Sequence, residues 1–190
     1  NRPHQTATIA ALDLFEIHEI AGNNLSYLQG ADVVLLQNFN EELDPDHPFI
    51  RALRSYVENG GGLLIGHDTG WFMPNPFEEV AVRGYPEHNV EAERHVINTD
   101  LLTDMVHPGL GKIPVNTQFS TEFYDHMIFV PGPKGQVIVR NTFGDPVYVA
   151  GKVGKGRVVF SGCYYGYARP LEGTEREVFH NVVRWLAKQE

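Results

Sequence analysis

The chain has 190 residues, 42% hydrophobic and 21% charged, with 24 acidic against 15 basic side chains and a net charge of −9. This is the composition of one globular domain, not of a largely disordered chain. The acidic balance, with no Lys/Arg cluster to offset it, argues against a nucleic-acid partner. No run of 18 or more apolar residues marks a membrane span, and the single cysteine, Cys163, allows no internal disulfide and leaves the compartment open.

In chain order, "HQTATIAAL" (4–12) suits a short helix. "FEIHEI" (15–20) alternates as a strand near a sheet edge. "ADVVLLQN" (31–38) is continuously apolar from Val33 to Leu36, as a strand buried on both faces requires. A helix is expected from Pro48, with Ile50, Leu53 and Val57 as its apolar stripe and Asn59 and three glycines as its stop. "LLI" (63–65) is the next central strand, and "GHDT" (66–69) a sharp polar turn after it. From Trp71 to about Met105 no period is sustained, which implies excursions around a site or small extra strands.

Strands are then expected at 136–140, 147–153 and 157–162, the last two joined as a hairpin through Gly154-Lys155-Gly156. A final helix from Thr174, with Glu177 three residues on, matches a capping box and buries Phe179, Val182, Val183 and Leu186. The sum is a single α/β domain over residues 1–190: a mostly parallel open sheet flanked by helices, with a C-terminal antiparallel hairpin.

The ordered segments "GADVVLL", "YVENGGGLLIGHD", "VHPGLGKIP", "STEFY", "GKGRVVFSG" and a terminal "VRWLA" helix resemble the trehalose-utilisation (ThuA-like) family, over roughly Gly30 to Lys188. That family belongs to the class I glutamine amidotransferase-like superfold, which implies a flavodoxin-like sheet and a carbohydrate-related role. Two departures stand out. The chain begins at the first helix, so the family's usual first strand is expected to be missing, cleaved or supplied by a partner. The elbow where true amidotransferases carry cysteine has Gly66 and His67 here, so glutamine hydrolysis through a thioester is not expected.

Ligands of open parallel sheets sit beyond the carboxyl ends of the strands. That rule gathers 38–40, 66–71 and 162–167 on one rim. His67 is the candidate proton carrier, since imidazole titrates near neutrality; Asp68 or Glu122 would orient or assist it. Its plainer role is to cap the turn. Glu122 and Tyr124, two apart, face the same way if the segment is extended, which serves a substrate or ties down a loop. His107-Pro108 reads as a rigid loop entry. Cys163, with no adjacent basic residue, reads as packing rather than a nucleophile.

Aromatic rings beside small polar groups match the C–H faces and hydroxyl rim of a sugar. Asn38, Trp71, Tyr124, Tyr164 and Tyr165 are therefore the candidate substrate-binding residues. No cofactor is called for. A divalent metal on Glu91, Glu93 and His95 is the lesser alternative to a solvated acidic face. The expected partner is a small carbohydrate, acted on as a sugar or keto-sugar. The competing reading is a non-catalytic binding or assembly module, paired as a homo-oligomer or within a larger protein at the exposed sheet edge.

Overall fold

The computed structural model describes residues 15–16, 25–37, 39, 42–87, 95–97, 107–121, 126–165 and 169–189. The expected helix at 4–12, and the strand at 15–20 beyond Phe15 and Glu16, lie outside these. After a 3-10 turn, Leu25–Leu28, comes β1 (Val33–Gln37). Helix α1 (Pro48–Glu58) follows, its proline placed where no backbone donor is needed. His47 caps it through Nδ1, which accepts from the Phe49 N–H at 3.2 Å. Phe49, Ile50, Leu53 and Val57 form its buried stripe, and Gly60, at φ +124°, lets the chain turn away. Fully burying such apolar side chains contributes about 1.5–3 kcal/mol each.

The remaining elements are β2 (Gly62–Gly66), α2 (His67–Phe72), β3 (Ala81–Arg83), β4 (His95–Ile97), β5 (Gln118–Phe119), β6 (Phe129–Pro131), β7 (Gly135–Asn141), β8 (Pro146–Val153), β9 (Gly156–Ser161) and α3 (Gly173–Leu186). Among the described residues, seven strands form one sheet in the order β1-β2-β9-β8-β7-β4-β5, and β3 pairs with β6 in a separate ribbon. Adjacent residues of β2 face opposite sides. Leu63 and Ile65 join the α1 layer with Val158 and Phe160 of β9. Leu64 and Val159 join the α3 layer with Val178, Phe179, Val182 and Leu186. The sheet is thus covered on both faces. No helix among the described residues is long and apolar enough to cross a membrane.

Three expectations need correction. The sheet is mixed rather than mostly parallel: β1, β2 and β9 run parallel, while β8, β7, β4 and β5 continue antiparallel among the described residues. An apolar run fixes burial, not strand direction. Next, β1 is half-buried along its length, since it ends the strand order among the described residues. Finally, Thr174 caps nothing. Glu172 holds the N-cap position of α3 with no side-chain cap bond, and Gly173 enters the helix at φ +52°.

The β8–β9 hairpin closes as expected. Val153 pairs with Gly156, leaving Gly154-Lys155 as the turn with Gly154 at φ +58°, the positive φ that two-residue hairpin loops need.

Candidate active site

In the parallel half of the sheet Gln37 is in register with Gly66, and Gly66 with Ser161. The carboxyl ends of β1, β2 and β9 therefore finish level, and the segments after them meet on one rim. Two bonds lock them together. Gln37 Nε2 donates to the Tyr165 carbonyl at 2.7 Å, and the Phe39 N–H donates to Thr69 Oγ1 at 2.9 Å.

The turn from β2 into α2 is made at His67, whose φ is +26°. An L-residue other than glycine is strained there, at a cost of order 1–2 kcal/mol. His67 is 6% exposed. Its Nδ1 lies 3.0 Å from Asp68 Oδ1, and its ring sits 3.9 Å from the Tyr164 ring. The Tyr164 hydroxyl donates to the other Asp68 oxygen, Oδ2. An ionised carboxylate only accepts, so the neutral imidazole carries its proton on Nδ1, and Nε2 is the basic nitrogen. This is a histidine oriented by a carboxylate that is itself held by a phenol.

A second wall comes from the segment leading into β6. Gly162 makes room for it. A Cβ on Gly162 would stand 2.0 Å from the Met127 carbonyl oxygen, and the Met127 N–H donates to the Gly162 carbonyl at 3.0 Å. On its far side the Gly84 N–H donates to the Ile128 carbonyl at 2.9 Å, and Arg83 pairs with Phe129 across the β3–β6 ribbon. Asn75 steers the chain from α2 to β3, donating to the Ala81 carbonyl at 2.7 Å and accepting from the Phe77 N–H at 2.9 Å.

Together these segments enclose a cavity of about 440 Å³ lined by His67, Asp68, Trp71, Arg83, Tyr85 and His126, among others. Trp71, Phe72 and Tyr85 are 50%, 43% and 77% exposed. A larger depression of about 790 Å³ lies at the opposite end of the sheet, against Tyr56, Gly61 and Lys188. Its described lining residues include Asp32 and Lys188 but no histidine.

Of the sequence candidates, His67, Asp68 and Trp71 line this cavity. Tyr164 holds the first two in place. Tyr165 is placed elsewhere: it is fully buried, 4.5 Å from the Phe179 ring, and burial pushes its phenol up, so it supports the wall from the core. Asn38, Glu122 and Tyr124 lie outside the described residues. Cys163 is fully buried and its thiol is likewise pushed up by burial, as a packing residue would be. His107 caps the 3-10 turn Pro108–Leu110, accepting from the Gly109 N–H at 2.9 Å. Among the described residues no group of three or more His, Cys, Asp or Glu could hold a metal; Glu91 and Glu93 are not among them.

Sequence reasoning missed His126 and Arg83. His126 is 2% exposed and meets the Asn141 amide at 3.1 Å. Arg83 lies over the faces of Trp71 and Tyr85. The "DHM" adjoining "STEFY" was the available signal for His126; nothing local marks Arg83.

No family model matches the chain, and no curated protein matches it. Solved structures do. A ThuA-like protein from Bacteroides uniformis superposes with a TM-score of 0.68 at 16% identity, over 96% of this chain and 82% of that one. Another ThuA-like protein, from Parabacteroides merdae, gives 0.58 at 14% identity, over 100% and 88%. The mmIFT52 N-terminal domain gives 0.71 at 12% identity, over 98% and 91%. At these identities the likeness is one of fold: the chain is a mixed α/β domain similar to ThuA-like structures.

Proposed function

We propose that the chain is a carbohydrate-related ThuA-like domain that acts on a sugar or keto-sugar at the rim cavity, with His67 moving a proton on or off a carbon or hydroxyl beside a carbonyl. The supporting observation is the His67–Asp68 pair at 3.0 Å, set on a strained elbow at a cavity with aromatic faces. Asp68 orients the imidazole and stabilises it when protonated. Trp71 takes the sugar's C–H face, and Tyr164 keeps the dyad aligned. Glu122 serves as the second proton carrier, with Asn38 and Tyr124 on the hydroxyls. The proposed chemistry uses side chains alone and does not include glutamine hydrolysis, because the elbow offers imidazole where a thiol would be needed.

The test is solvent exchange. Sugars and keto-sugars incubated with the protein in D₂O should show deuterium at the carbon next to the carbonyl by NMR. His67→Gln should slow that exchange about 100-fold or more. Exchange at the wild-type rate in the variant, or none with any sugar, would overturn the assignment.

A second reading, a binding or assembly module of a larger protein, is favoured by one comparison. The mmIFT52 structure is by its name one domain of a longer protein, and it matches nearly the whole of this chain. This reading requires partner binding that survives His67→Gln, and no turnover by the wild type.

A further inference from the structure

Arg83 stands out from the other partly buried arginines. Arg54 bonds Glu58 and Glu79, each at 2.7 Å. Arg157 donates to the Trp185 carbonyl at 2.6 Å, and Arg169 pairs with Glu175 at 3.0 Å. Arg83 has no oxygen partner among the described residues, and its Nε is buried without an acceptor. Yet the chain carries 24 acidic residues. A buried unsatisfied donor costs about 1–3 kcal/mol, so stability does not explain this arginine. Its guanidinium lies over Trp71 and Tyr85, cation–π contacts that supply no countercharge. It lines the same cavity as His67 and Asp68.

We infer that Arg83 is a carboxylate-binding residue and that the ligand of this cavity is a sugar acid, a uronate or aldonate, rather than a neutral sugar. The substrate class rests on the proposed reading of the cavity as a sugar site; the anion preference rests on Arg83 alone. A guanidinium over aromatic rings gains no carboxylate partner from them, and a carboxylate ligand matches its planar N–H fork bidentately. The charge on Asp68, in the same cavity, tells against a phosphate dianion, which would meet about twice the repulsion of a monoanion. Asp68 already accepts from His67 and Tyr164, so among the described lining residues Arg83 is the cation without a carboxylate partner. With its carboxylate on Arg83, the sugar would extend across the cavity with its other carbons toward His67.

Calorimetric titration of the intact chain with glucuronate, gluconate, glucose, glucose 6-phosphate and malate tests this, using Arg83→Gln and Arg83→Lys with melting curves as a folding control. The wild type should bind glucuronate or gluconate about tenfold or more tighter than glucose. Arg83→Gln should bring the acids to parity with glucose, with Arg83→Lys between. Equal binding of acid and neutral sugar by the wild type overturns the inference and leaves the sugar reading standing. Malate bound through Arg83 while no sugar binds supports the anion site and sinks the sugar reading. Tighter binding of glucose 6-phosphate than of glucuronate, an unaltered acid preference in a folded Arg83→Gln, or no binding by any probe also overturns it.

Discussion

The Asn141 side-chain amide donates to Nε2 of His126 at 3.1 Å. The amide cannot be reversed, because Asn141 Oδ1 accepts from the backbone N–H groups of Phe143 at 3.0 Å and Asp145 at 2.9 Å. His126 Nε2 is therefore an acceptor, and the neutral ring carries its proton on Nδ1. A turn at the end of β7 thus sets the tautomer of a histidine in the cavity wall.

Nitrogen-15 NMR of the histidine rings should show His126 with an unprotonated Nε2. Asn141→Asp replaces the donor with an acceptor and should move the proton to Nε2. An Nε2-protonated ring in the wild type would contradict the assignment. Asn141→Ala, which removes both the tautomer lock and the turn bonds, should cost about 1–3 kcal/mol in a denaturant melt.

His67 makes a sharper stability test. Ala normally replaces a helical residue at less cost than Gly. At φ +26° the order should invert, with His67→Gly more stable than His67→Ala by about 1 kcal/mol. Comparing the two variants isolates the backbone, because both have lost the ring. The ordinary ranking would mean that the elbow stores no strain.

Tyr164→Phe keeps the ring against His67 and deletes the hydroxyl that donates to Asp68. Stability should fall by about 1 kcal/mol. Proton exchange into substrate should fall about tenfold, because Asp68 loses the bond that fixes it. Full activity in this variant would reduce Tyr164 to a packing residue.

Alkaline unfolding should expose the buried acids behind the rim. Burial holds the Cys163 thiol and the Tyr148 and Tyr165 phenols above their ordinary ranges. In the unfolded chain they ionise near pH 8.5 for thiol and near pH 10 for phenol. Above those values the unfolded state binds fewer protons than the native one, so stability is intact below about pH 8.5 and falls as pH rises. The slope approaches about 1.4 kcal/mol per pH unit for each group past its unfolded pKa. Melts between pH 7 and 11 should show that decline steepening at the tyrosine step. Cys163→Ala should remove the first step only, and a flat profile would show that these groups ionise in place.

The sequence disclosed those parts of the fold whose signals are local. Helix α1 announced itself through Pro48, a 3.6-residue apolar stripe and a glycine stop, and β2, β8 and β9 through apolar runs. The rim was legible because it follows from strand ends alone. The capping box at Thr174 misled, because Gly173 enters the helix at φ +52° and shifts the cap upstream. Outside the β8–β9 hairpin, strand direction was not legible either. β4 and β5, three and two residues long, are too short to carry a period. His126 and Arg83 depend on pairings made across the fold, with Asn141 and with the Trp71 face, that no window of sequence contains.

The level ends of β1, β2 and β9 also bear on the order of assembly. Consecutive strands β7, β8 and β9 meet through short turns, whereas the bond between Gln37 and Tyr165 closes a span of 128 residues. Loop-closure entropy and contact order favour the meander first and the parallel half afterwards. In a refolding time course, amides of β7 to β9 should gain protection before the protein gains the ability to retain a ligand. Competence at the rim would then certify that the whole chain has been threaded, and a truncated or misregistered product would keep its meander and bind nothing.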